Sequence, residues 1–148
     1  MLEITKQKWE FLQEIYRLTQ EQSEAIAQKQ FKMFLSLSRD KQILIEKVLV
    51  LDDSFQQQYD DVKTKAGSEE YFAAALSKQI NLKEMQQLVA EIEKLTDDIK
   101  LLEVKNKEAY RKMLLEIMVP LNKSMINREE KILQYKRMND YKKRKMEH

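Results

Sequence analysis

Between Asn81 and Pro120, residues recur at alternating steps of three and four: Met85, Leu88, Ile92, Leu95, Ile99 and Leu102, then Asn106, Ala109 and Met113. A strand turns successive side chains to opposite faces, so this spacing keeps one seam toward a partner only on an α-helix. A long coiled-coil-like helix is therefore expected, with other helices beside it. Asn81 followed by Glu84 has the spacing of a capping box, in which side-chain oxygens take up backbone N–H groups left free at a helix start. Pro120, the only proline in the chain, offers no N–H and disfavours helical geometry at Val119, so a kink, hinge or stop is expected there. Asn106 interrupts the apolar seam. Either it is a buried amide that fixes helix register, or it is exposed where the helix drifts off its partner.

The remaining chain reads as the partners. From about Ile4 to Ala27, Trp9, Leu12, Tyr16, Thr19, Ser23 and Ile26 form a seam, widened by Phe11, Ile15, Leu18 and Ala25. The pattern lapses at Gln28, Lys29 and Gln30, which suggests a tight reversal, although no strong capping residue marks it and a single bent helix fits the pattern too. A second helix is expected from Phe31 to Lys65, with Phe34, Leu37, Leu44, Val48, Leu51 and Phe55 on one stripe. Its middle, ILIEKVLVL from Ile43 to Leu51, is apolar nearly all round. The simplest packing puts this segment at the centre, with Ile45 and Leu49 in the core. The single glycine, Gly67, can end that helix in a left-handed conformation and Ser68 can cap a short one from Glu69 to about Lys78. Beyond Pro120 the apolar pattern continues through Leu121, Met125, Ile132, Tyr135 and Met138, then dissolves into YKKRKMEH, which is expected to fray.

Composition agrees with this outline. One glycine and one proline in 148 residues leave little material for hairpins or phosphate loops, while Leu, Lys, Glu, Gln, Met and Ala favour helix. The fold class is all-α: an elongated antiparallel bundle of three long helices plus a short one, with a kinked or mobile C-terminal helix. Residues 1–119 are expected to form the body and 120–148 an amphipathic binding segment. With 27 basic and 25 acidic residues the formal net charge is only +2, so the molecule as a whole has no strong pull toward nucleic acid. The nine-residue run from Ile43 to Leu51 contains Glu46 and Lys47 and is about half the length of a membrane span. With no cysteine and no secretory-signal pattern at the N-terminus, the expectation is an intracellular protein without disulfides or stable membrane insertion.

Little points to catalysis. The only histidine is His148, which argues against histidine-based acid–base chemistry and metal ligation. The pairs Asp52/Asp53, Asp60/Asp61, Asp97/Asp98 and Glu129/Glu130 read as solvated helix faces, because Glu-x-x-His ligand pairs are absent. No enzyme activity, cofactor or metal is expected. The basic run Lys136, Arg137, Lys142, Lys143, Arg144 and Lys145 is diluted by Asp140 and Glu147, and its cations oppose the negative end of a helix without needing a phosphate partner. Methionine is concentrated instead: Met113, Met118, Met125, Met138 and Met146 are five of the chain's eight. Flexible thioethers suit an apolar groove that receives another protein's helix, as well as ordinary packing.

Three stretches, LQEIYRLTQEQSEAIAQKQ, RDKQILIEKVLVLDDSFQQQY and LEVKNKEAY, give the chain a layout that resembles the FlgN family of flagellar export chaperones. The resemblance implies an all-helical cytoplasmic chaperone without ATPase activity, which binds C-terminal segments of flagellar hook-filament junction proteins and delivers them toward the export apparatus. It also implies that the C-terminal helical region, here around Met113 to Tyr135, holds the client. The candidate client-binding residues are Met118, Leu121, Met125, Ile132 and Tyr135. The competing classes are a structural coiled coil or adaptor acting by self-association as a homo-oligomer, and a binder of nucleic acid or membrane surfaces through the basic tail.

Overall fold

The computed structural model describes residues 1–79 and 81–146, and the fold is an all-α helical bundle. Among the described residues four helices occur in chain order: α1 (Leu2–Ala27), α2 (Phe31–Ala66), α3 (Glu69–Gln79) and α4 (Leu82–Met146). No strand occurs among the described residues. By its internal contacts the chain divides into a unit from Met1 to Ala109 and a second from Tyr110 onward.

In the first unit α1 and α2 run antiparallel, as the pairs Lys8–Asp52 and Gln22–Ser38 show. The beginning of α4 runs back alongside both, so that Lys6 meets Glu84 and Lys41 meets Glu103. Burial follows the helical period. Leu12 and Ile15 of α1, Val48 of α2 and Ile99 of α4 form one core cluster, flanked by Phe11, Tyr16, Leu44, Ile92 and Leu95. Leu18, Ala25 and Leu37 form another, beside Phe34 and Leu44. The short α3 docks on the end of α2, where Phe72 meets Tyr59 edge to face with ring centres 5.0 Å apart.

The connections follow from local chemistry. At the end of α1 the Gln30 N–H donates to the Ala25 carbonyl and the Lys29 N–H to that of Ile26, at 2.8 and 3.1 Å. These are the two bonds of a Schellman motif, with Lys29 in the left-handed position at φ 56°. Gly67 takes the same role after α2, at φ 73°. Ser68 Oγ accepts from the Tyr71 N–H at 3.4 Å. Asn81 Oδ1 accepts from the Glu84 N–H at 3.2 Å, which is the cap expected at the start of α4.

Two expectations about packing are corrected. Leu49 is 57% exposed and Ile45 37% exposed, so neither belongs to the core. The buried line of α2 runs through Leu37, Lys41, Val48 and Val62. Leu49 stands one residue, about 100° of helix, further round. The apolar middle of α2 thus buries one side and leaves Ile43, Leu49 and Val50 in solvent.

In the second unit the expected stop at Pro120 is absent, since α4 includes it as an interior residue. Proline removes its own N–H and crowds the carbonyl four residues earlier, and helix formers on both sides carry the remaining ladder past that point. Met113 is buried, whereas every described residue from Leu115 to Met146 is exposed. Tyr141 to Met146, expected to fray, are helical, and Lys145 Nζ lies 5.6 Å from the Tyr141 ring centre. The corresponding expectation for Glu147 and His148 lies outside the described residues.

Candidate functional site

The five candidate binding residues share one helix and one stripe. Met118, Leu121, Met125, Ile132 and Tyr135 are each between 51% and 68% exposed. With Leu114 and Arg128 they follow steps of four and three without interruption from Leu114 to Tyr135. At the α-helical rise this stripe is about 32 Å long. Ile117, Ile126 and Leu133 add further exposed apolar area on the same helix. An amphipathic helix with its apolar stripe in water can bind a complementary helix by apolar burial.

Charge is uneven along the stripe. Residues 115–127 carry one acidic and one basic side chain, whereas 128–146 carry eight basic and three acidic ones. The cations therefore gather beyond Arg128, and those of the last turn, Lys143, Arg144 and Lys145, oppose the partial negative charge of the helix end.

In the first unit the polar groups are closed in on one another. Asn106, 5% exposed, donates from Nδ2 to the Thr19 carbonyl at 2.9 Å and accepts from Ser23 Oγ at 2.5 Å. Its seam position is thus a buried amide, the first of the two readings of the sequence. Next to it, Lys41 Nζ donates to Gln22 Oε1 at 2.9 Å and to Glu103, and Gln22 Nε2 donates to Ser38 Oγ at 2.8 Å. Burial pushes the Lys41 ammonium down to about 8, because a low-dielectric surrounding penalises the charged form. No buried side-chain nitrogen or oxygen among the described residues lacks a partner. This layer ties α1, α2 and α4 to one another.

Sequence reasoning missed Lys41 and Gln22. Their signal was spacing: Lys41 lies on the steps from Leu37 to Leu44 and Val48, and Gln22 on those from Leu12, Ile15 and Thr19 to Ile26. On the surface, Arg17 bridges Glu14 and Glu21 along α1 and holds the Glu14 carboxyl below its ordinary range.

The clefts of the first unit are shallow. One of about 300 Å³ is lined by Ile4, Lys8, Asp52, Phe55, Val89 and Ile92 among others. Among the described residues no group of three or more His, Cys, Asp or Glu side chains gathers to hold a metal, and no helix is long and apolar enough to cross a membrane. Comparison with protein-family models, with curated proteins and with solved structures gives no match.

Proposed function

We propose that this protein is an export chaperone that holds the C-terminal helical segments of flagellar hook-filament junction proteins on the apolar stripe of α4, keeping them from aggregating before secretion. One observation carries the reading: the helix from Leu115 to Met146 leaves a methionine-rich apolar stripe exposed along its length. Such a stripe, in steps of three and four, meets the geometric requirement for receiving a partner helix, and Met118 and Met125 can adapt to varied side chains. The choice of client rests on the three stretches that resemble FlgN-type chaperones.

The role calls for capture and release without chemistry, and the proposed mechanism uses apolar burial alone. Met118, Leu121, Met125, Ile132 and Tyr135 supply the contact, and the closed polar layer around Asn106 keeps the first unit in one arrangement.

Calorimetric titration of the full chain with a synthetic junction-protein C-terminal peptide tests this reading. Binding is expected to persist at high salt, and to be lost when Leu121→Asp and Ile132→Asp are combined. Leu49→Asp, on an exposed position of α2, is expected to leave it intact. No binding by the unmodified chain overturns the proposal. Binding that collapses with salt overturns the apolar mechanism and assigns the surface to polyanion recognition instead.

A further inference from the structure

The stripe on α4 has an internal symmetry that the capture of a client does not require. Turned end for end and laid against itself, it places Met118 opposite Tyr135, Leu121 opposite Ile132 and Met125 opposite Arg128, and each of these layers then occurs twice about a two-fold axis. We infer that the exposed stripe of α4 pairs with the same stripe of a second copy of this chain, the two helices running antiparallel. The inference rests on the spacing and charge of this helix and not on the chaperone reading.

Charge selects the orientation. A parallel, in-register pair would stack Arg128 on Arg128 within the seam and set the two cation-rich ends side by side. The antiparallel pair lays residues 128–138 of each copy along the nearly neutral residues 115–125 of the other and keeps the two cation-rich ends apart. Arg128 then faces Met125 and stands one helical turn from Glu129 of the other copy, which flanks the seam. A guanidinium at a seam position thereby has a carboxylate within reach, twice per dimer.

The area is sufficient. An overlap of about 26 residues is roughly 39 Å long, and burying half the circumference of a helix about 11 Å across removes on the order of 650 Å² per copy. The total lies near the lower bound of about 1,200 Å² for stable, specific protein–protein interfaces. The dimer is accordingly expected to be reversible, with its two-fold axis between Ile126 and Asn127.

Sedimentation of the full chain over a wide concentration range is expected to show a monomer–dimer equilibrium. Combining Leu121→Asp with Ile132→Asp buries four carboxylates in the seam and should weaken the dimer by roughly 100-fold or more. Leu49→Asp should leave it unchanged. The chain has no cysteine, so Met118→Cys and Tyr135→Cys report orientation directly. The two variants mixed are expected to form a disulfide-linked heterodimer, and neither alone should cross-link efficiently. A monomer at every concentration, a dimer indifferent to the paired aspartates, or ready cross-linking of Met118→Cys to itself would each overturn the inference.

Discussion

Asn106 on α4 donates to the backbone carbonyl of Thr19 on α1, 87 positions earlier in the chain, and the bond is buried. Together with Ser23 it makes a specific polar pairing between two helices whose other contacts are mostly apolar. Apolar side chains tolerate sliding by a turn, whereas a buried amide has its hydrogen bonds in one register only. Asn106→Ala should therefore destabilise the fold by about 1–3 kcal/mol, the cost of leaving buried groups unpaired. Ser23→Ala should cost less. In a double-mutant cycle followed by urea denaturation the two should be coupled by about 0.5–1 kcal/mol or more.

Lys41 gives the fold a pH dependence of definite sign. Its ammonium titrates near 8 when folded and near 10.4 when unfolded, so between these values the unfolded chain binds more protons and stability rises with pH. Below the folded value both states are charged and the gain is absent. Thermal melts of the wild type and Lys41→Met from pH 7 to about 10.5 should converge on a simple contrast. The wild type gains on the order of 1–3 kcal/mol relative to the variant across that window.

The exposure of Leu49 separates two substitutions that look alike in sequence. Leu37→Ala removes buried methyl groups beside Leu18 and Ala25 and should cost about 2–5 kcal/mol. Leu49→Asp lies in solvent and should change stability by no more than about 0.5 kcal/mol. Melting temperatures of the two variants, measured side by side, check the assignment of the α2 faces.

At the α1–α2 turn, Lys29 adopts the left-handed backbone region that side chains with a Cβ enter at a cost. Glycine relieves that cost but loosens the unfolded chain. The net effect of Lys29→Gly should be a gain of about 0.5–1 kcal/mol, read from the denaturation midpoint at unchanged slope.

The helices were legible in the sequence because period and end signals agreed: Gly67, Ser68 and Asn81 each stand where the structure uses them. The turn at Gln28 to Gln30 was legible only as a lapse, since a lysine fills the position usually given to glycine. Burial was harder. A run such as ILIEKVLVL shows that some face of α2 is apolar but not how many neighbours will cover it. Lys41 shows the converse, a charged residue drawn inside where Gln22 and Glu103 accept its hydrogen bonds. For the candidate site, the five residues and their common stripe were legible from spacing. That the stripe lacks an internal partner was expected as well, and its residues are exposed. Of the readings at Pro120 the stop alone is excluded, because its missing N–H is a single lost bond within a helix of 65 residues.

That lost bond bears on how the stripe meets anything it binds. In helix–coil terms proline costs about 3 kcal/mol relative to alanine inside a helix. The turns beyond Pro120 therefore propagate less cooperatively from those before it, while their exposed side chains contribute little packing to hold them. Helix–coil relaxation takes on the order of 0.1–1 μs, far faster than encounters between proteins. A partner consequently meets an equilibrium population, and its apparent dissociation constant is the intrinsic one divided by the helical fraction of that segment. On the proposed reading, Pro120 would therefore lower the affinity for any helix the stripe receives without touching the residues that would distinguish one from another.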